Sequence, residues 1–341
     1  MNSKERVLNL FKKEPIDRIP CFSGMGNVTE EGINRLGYKF AGIHLDAKQM
    51  ADTAASTSKL FGYECAVVPV DLCLEAEAMG CVINVYPHAE GILYPTIKEK
   101  LIHNEDEMEI SIPVDVAKRG RIPLVKEAIG MLKADIGNDT AIGTYVLGPF
   151  TLAGQIMELN DLLKLSFKKP AKVSALLDKL ADVIIATAKE LESAGPDYIT
   201  VREMGATSDV LSPRVFKSMI LPPLQKIIKE IKVPTVLHIC GKTNDIVTFM
   251  MEANPTAISV EQKNDVAETR RKLGPDALIF GNFDPYNVLV AGTEELVRDT
   301  MRKCIDNGVS AVWPGCDIWP TVPPANFNAM MDEVKKYGGK K

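Results

Sequence analysis

Residues 233–241 read Val233-Pro234-Thr235-Val236-Leu237-His238-Ile239-Cys240-Gly241, a short apolar run that ends in His238 and Cys240 and breaks at Gly241. Two residues apart on an extended segment, His238 and Cys240 project to the same side. A second stretch has the same form: Ser310-Ala311-Val312-Trp313 leads into Pro314-Gly315-Cys316-Asp317. Working outward from these two, the chain alternates. Strand-like runs at 141–147, 198–202, 233–239, 257–260, 277–280 and 310–313 follow helical patterns that include 121–135, 170–193, 213–231, 243–252, 266–273 and 293–307. Two earlier runs, at 19–22 and 65–70, bring the strands to eight. Eight strands alternating with helices predict an α/β chain folded as a (β/α)8 TIM barrel, with its chemistry at the C-terminal strand ends. On that count His238 and Cys240 end the fifth strand and Cys316 the eighth, all on one rim.

One histidine and two cysteines separated by a long span suit a zinc site with three protein ligands and one open position. Structural zinc sites usually take four ligands from short loops, so this pattern reads as catalytic. The other histidines, His44, His88 and His103, lie in loop or helical contexts and are expected to be exposed. Cys21, Cys65, Cys73, Cys81 and Cys304 sit among apolar residues and serve as small buried side chains. The strand count also places Glu203, Glu261, Asn282 and Asp284 on the rim. Glu203 and Glu261 could complete the metal shell or orient His238, and a solvated or salt-bridged carboxylate is the plainer alternative for each. Residues 148–154 follow the third strand and open a helix, whose N–H groups could hold an anion or close against a flat ligand.

At 341 residues, 46% hydrophobic and 25% charged, the chain is long enough for one large domain spanning 1–341. Residues 4–13 form an N-terminal helical extension ended by Glu14-Pro15. An irregular, hairpin-bearing insertion at 75–123, between the second and third strands, covers the barrel mouth. A net charge of −5 argues against a nucleic-acid partner. No apolar run reaches the roughly 20 residues of a membrane span. With seven cysteines and no signal-peptide pattern, a reducing cytoplasm is the expected setting.

Several landmarks together resemble a family. Glu14-Pro15-Ile16-Asp17-Arg18-Ile19-Pro20, the Gly148–Ala153 stretch and Leu211-Ser212-Pro213 are similar to the uroporphyrinogen decarboxylase superfamily, built on a (β/α)8 barrel. Within it, His238-Ile239-Cys240-Gly241 with Pro314-Gly315-Cys316 resembles the zinc motif of the methylcobalamin:coenzyme M methyltransferases of methanogenic archaea. Glu77-Ala78-Met79-Gly80-Cys81, Ile258-Ser259-Val260-Glu261 and Gly281-Asn282-Phe283-Asp284-Pro285 add to it. One departure matters: the decarboxylases carry arginines after the first strand that bind porphyrin carboxylates, whereas residues 21–28 here are Cys-Phe-Ser-Gly-Met-Gly-Asn-Val. Without those cations a polycarboxylate would be poorly held.

The resemblance implies Zn2+ on His238, Cys240 and Cys316, with Glu261 or Glu203 accepting a thiol proton. A zinc-bound thiolate, most simply that of coenzyme M, would attack the methyl group of a methylcorrinoid (methylcobalamin) carried by a partner protein, leaving cobalt(I) and a thioether. Related enzymes may use a folate or another thiol as acceptor, or draw the methyl group from methylthiols or methoxyaromatics. Arg202, Lys242 and Lys263 are the cations near the rim for a sulfonate, and Asn282 is a further binding candidate. A corrinoid carrier protein would dock over the mouth, against the insertion and residues 24–28, since no Asp-x-His-x-x-Gly corrinoid motif is present.

Overall fold

In the computed structural model, which describes residues 1–339, the apolar runs bounded by Gly, Pro and Asn become strands β1 (Cys65–Val68), β4 (Ala141–Leu147), β5 (Tyr198–Arg202), β6 (Thr235–Ile239), β7 (Ala257–Val260), β8 (Ile279–Phe283) and β9 (Ala311–Pro314). Between β1 and β4 the expected insertion carries its hairpin, β2 (Val82–Asn84) antiparallel to β3 (Thr96–Glu99). Lys340 and Lys341, the end of the expected 1–341 domain, lie outside the described residues. The seven main strands pair in parallel in the order β1-β4-β5-β6-β7-β8-β9. Nearly all their residues are buried, as a parallel sheet covered by helices requires.

The expected first strand at 19–22 shrinks to a single parallel bridge, Cys21 to Val312, yet it still closes the ring. On one side Val312 N–H donates to Pro20 O at 2.9 Å and Phe22 N–H to Val312 O at 3.2 Å; on the other Glu64 N–H donates to Cys21 O at 3.3 Å. Pro20 has no N–H to extend the ladder. The Cys21 N–H turns instead to the Glu64 carboxylate, at 2.7 Å. Glu64 is fully buried and also bonds Arg18, at 2.9 and 3.1 Å, and Arg6. Arg6 in turn grips Asp17 and pulls its carboxyl down to about 2, chiefly through that hydrogen bond. The 14–20 landmark is therefore scaffold that fastens the N-terminal helix, Ser3–Lys12, to the barrel.

Helices follow the predicted alternation with local corrections. The expected 243–252 helix begins only at Val247, because Asn264 Oδ1 takes the Thr243 and Asn244 N–H groups at 2.6 and 3.1 Å and holds them in a turn. Helices without a counterpart in the reading above include Leu74–Met79, Leu159–Lys168 and Pro324–Tyr337. Among the described residues no helix is long and apolar enough to cross a membrane.

Phe11 from the N-terminal helix meets Phe22, Tyr198 and Phe280, and Phe22 also touches Tyr198, Phe280 and Trp313, with ring centroids 5.0–5.9 Å apart. Phe22→Ala removes the ring common to most of these contacts. It is expected to cost about 3–5 kcal/mol of unfolding free energy, measured as a lower urea midpoint at unchanged slope.

Candidate metal centre at the barrel mouth

Strand register gathers the site. Arg202 on β5 pairs with His238 on β6, which pairs with Ser259 on β7, so the three share one layer near the C-terminal strand ends. His238 is fully buried, and its Nδ1 lies 2.9 Å from Ser259 Oγ. With that nitrogen engaged, Nε2 is turned to Cys240 Sγ, 3.2 Å away. Burial, and after it the nearby Arg202 charge, push His238 down to about 3, so the imidazole is neutral and keeps a lone pair. Gly241 allows the sharp exit after Cys240: its φ is +77°, and a Cβ there would meet Thr207 Oγ1 at 2.5 Å.

Cys316 arrives from the end of β9 and is hydrogen-bonded to Cys240. The two sulfurs separate: the hydrogen bond first, then burial, raise Cys240, while the same hydrogen bond lowers Cys316. The positive field of Arg202 favours the thiolate at both. The structure thus brings together all three of the predicted ligands, from elements nearly eighty residues apart. Among the described residues no group of three or more His, Cys, Asp or Glu is already set as a metal cage, and the trio is closed on itself by hydrogen bonds. Its donors nonetheless fit zinc: one neutral imidazole nitrogen with its other nitrogen held, and two adjacent sulfurs beside a cation. Because both thiols must lose protons to bind a metal, affinity should fall as pH falls.

The other candidates divide. Glu261 is mostly buried beside the trio and accepts the Gly241 N–H, with Lys263 Nζ 3.8 Å from its other oxygen. Glu203 does not join them. Its oxygens accept Phe150 N–H at 2.9 Å, Thr151 N–H at 2.8 Å and Thr151 Oγ1 at 2.6 Å, so it caps the helix Pro149–Ile156. That helix start, read as a possible anion site, is filled by the protein's own carboxylate. Burial pushes Glu203 up to about 7 against these bonds. Asn282 also turns inward, donating to Asn264 O at 2.9 Å and Glu261 O at 3.3 Å. It props the loop that carries Glu261. Asp284 bonds Tyr286, Asn287 N–H and Asn287 Nδ2 and starts the turn after β8. Lys242 is exposed, 3.8 Å from Asp209.

Two expectations are corrected. Residues 24–28, expected as a docking surface, are buried: Gly26 N–H donates to Asp317 Oδ1 at 2.7 Å and Gly26 O accepts Ile318 N–H at 2.8 Å, which stitches this loop under the Cys316 loop. His44, expected exposed, is fully buried with Nδ1 3.2 Å from Asp71 Oδ2. His88 and His103 are exposed as read. Beside Cys316 opens a cavity of about 320 Å³, walled by residues 70–72, by Tyr94 and Pro95 from the insertion, and by residues 316–319.

Ser259 and Asp317 were not singled out above. The signal for Ser259 was a lone hydroxyl inside Ala-Ile-Ser-Val, a strand otherwise without polar atoms. Ser259→Ala should weaken metal affinity roughly 10–100-fold while leaving the three ligands in place, a loss read by competitive chelator titration.

A family model described as uroporphyrinogen decarboxylase matches residues 2–337. The chain belongs to the uroporphyrinogen decarboxylase family. Within that family it is 32% identical over 337 residues to the methylcobamide:CoM methyltransferase MtbA of Methanosarcina acetivorans, covering 98% of both chains. It is 30% identical over 344 residues to the methylcobamide:CoM methyltransferase MtaA of Methanosarcina barkeri, again with 98% of each covered. A solved methyltransferase from Methanosarcina mazei superposes with a TM-score of 0.92 at 28% identity, covering 99% of both chains. The predicted barrel and family both stand.

Proposed function

We propose that this protein transfers a methyl group from a methylated corrinoid, presented by a separate carrier protein, to the thiol of a small acceptor. Coenzyme M is the acceptor that best fits. The observation that carries the reading is the layer formed by register, in which Ser259 fixes His238 so that Nε2 faces Cys240 with Cys316 beside it. The names of the relatives support the same chemistry.

His238, Cys240 and Cys316 would hold zinc. Bound there, zinc would acidify an incoming thiol while two cysteinates keep the sulfur electron-rich. The protein's own groups do the rest. Ser259 Oγ would accept the Nδ1–H of His238 and so leave the Nε2 lone pair for the metal. Buried Arg202 stabilises negative charge at the sulfurs. Glu261, which accepts the N–H of Gly241 next to Cys240, would take the thiol proton. Tyr94, Pro95, Ile318 and Trp319 give the cavity a mainly apolar wall that excludes water from the attacking sulfur. At the rim Trp319 and Tyr286 are half exposed with ring centroids 5.2 Å apart and their planes tilted by 59°, an apolar pair beside the cavity that a docking carrier would cover.

The test is spectroscopic. With methylcobalamin and 2-mercaptoethanesulfonate, the visible spectrum should report demethylation that chelation stops and added zinc restores. Metal-free protein that works at the full rate contradicts the proposal.

A further inference from the structure

The turn after β7 carries none of the three ligands, yet it touches both of the loops that bear the cysteines. Asn264 lies at its centre, 5% exposed. Its Oδ1 accepts the Thr243 N–H at 2.6 Å, the Thr243 hydroxyl at 3.1 Å and the Asn244 N–H at 3.1 Å. Its Nδ2 gives one hydrogen to Gly241 O at 2.8 Å and the other to Glu261 O at 3.1 Å. Gly241 follows Cys240, and its N–H goes to the Glu261 carboxylate. Both polar groups of Gly241, and with them the backbone that aims the Cys240 side chain, are therefore held from one turn. Asn244 ties the same two loops again, accepting the Asp265 N–H at 3.0 Å and donating to Asp265 O at 3.1 Å. A second carboxamide braces the turn from β8: Asn282 Nδ2 donates to Asn264 O at 2.9 Å and to Glu261 O at 3.3 Å. On its other side the turn meets Gly315, just before Cys316, where a Cβ would lie 3.1 Å from Gln262 N.

We propose that Asn264 is the positioning residue of the metal centre: its carboxamide fixes Cys240 relative to Glu261 and, through the turn, relative to Cys316, and so sets how tightly the site holds zinc. The inference rests on the zinc reading above and adds a residue that touches neither metal nor substrate. Strand-end loops are the more mobile part of a barrel. Two cysteines on separate loops part unless the loops are tied, and ordering them at the moment of binding draws on the binding energy. Only a carboxamide matches these partners: two N–H groups and a hydroxyl need an acceptor at one end, and two carbonyls need a donor at the other. Aspartate has the same shape and keeps the acceptor. It sets an oxygen against Gly241 O and Glu261 O, beside the Glu261 carboxylate, so the half of the contact that reaches Cys240 is the half that is lost. A buried amide can also be plain scaffold, and the chain supplies the reference for that. Asn326, likewise 5% exposed, donates to Leu289 O at 3.0 Å and Gly292 O at 2.9 Å from the helix Pro324–Tyr337, which carries no site residue.

Competitive chelator titration of the full chain separates positioning from scaffold. Asn264→Asp should bind zinc about 10–100-fold more weakly than wild type, and its cobalt(II)-loaded form should show a weaker sulfur-to-cobalt charge-transfer band. Asn326→Asp should also melt at a lower temperature than wild type, yet hold zinc within about twofold of it, as a distant and independent site does. A loss under about tenfold in Asn264→Asp, or an equal loss in Asn326→Asp, overturns the proposal. Should Asn264→Asp not fold, Asn282→Ala decides, since that side chain is only partly buried: it should weaken zinc binding by at least about tenfold, and a smaller loss overturns the proposal. A wild type that binds no zinc would refute the proposed function, whereas a wild type that binds zinc no better than Asn264→Asp would refute only this inference.

Discussion

Cys316→Ala is expected to slow thiol-dependent demethylation of methylcobalamin by more than about 100-fold, since loss of a group one bond beyond a ligand already costs roughly 10–100-fold. The side chain is only partly buried, at the rim, so the fold should survive. What remains is an imidazole and a single sulfur, a set that holds zinc weakly. The variant should therefore lose rate and bound zinc together, measured by the cobalamin spectrum and by metal analysis of the dialysed protein. A rate within tenfold of wild type would show that Cys316 does not serve the reaction.

The second large effect concerns stability. Arg121, at the start of the helix Ile122–Asp135, bonds Asp71 at 2.6 and 3.0 Å and Glu77 at 2.8 Å, while Asp71 also meets His44. This knot ties the end of β1 to the insertion, directly behind the cavity wall. Arg121→Ala leaves Asp71 buried and short of its main partner. It should cost about 3–5 kcal/mol, seen in urea unfolding near neutral pH. Burial raises the Asp71 carboxyl, but the hydrogen bonds from His44 and Arg121 and the Arg121 charge outweigh it and hold Asp71 well below the usual range. Its folded pKa is thus below the unfolded value of about 3.9. On acidification the unfolded chain takes up this proton first, so the pair's contribution is present above that value and is lost as pH falls further. Arg121→Ala should blunt this acid limb; an unchanged acid profile would show that the pair does not set it.

Which parts of the fold were legible follows from the physics of each. β4, β5 and β7 are runs of buried β-branched and apolar residues, and their pattern alone placed them. The strand at 19–22 was over-read because Pro20 and the Glu64 side chain, a contact 43 residues distant, replace most of its ladder. His238, Cys240 and Cys316 were readable because His238 lies near the end of β6, Cys240 directly follows that strand and Cys316 comes two residues after β9, strand ends that the barrel brings to one rim. Glu203 was misread for the opposite reason. A carboxylate after a strand looks free in sequence, and only the structure shows the start of the helix Pro149–Ile156 folded onto it. His44 and Arg202 were hidden in the same way, their partners Asp71 and Asp317 lying 27 and 115 residues away.

Zinc-edge X-ray absorption of the purified protein, with and without 2-mercaptoethanesulfonate, tests the central claim most directly. The account predicts stoichiometric zinc bound by an imidazole nitrogen and the sulfurs of Cys240 and Cys316, with one more sulfur neighbour when the thiol is added. Zinc without sulfur neighbours, or a shell that the thiol leaves unchanged, would contradict it.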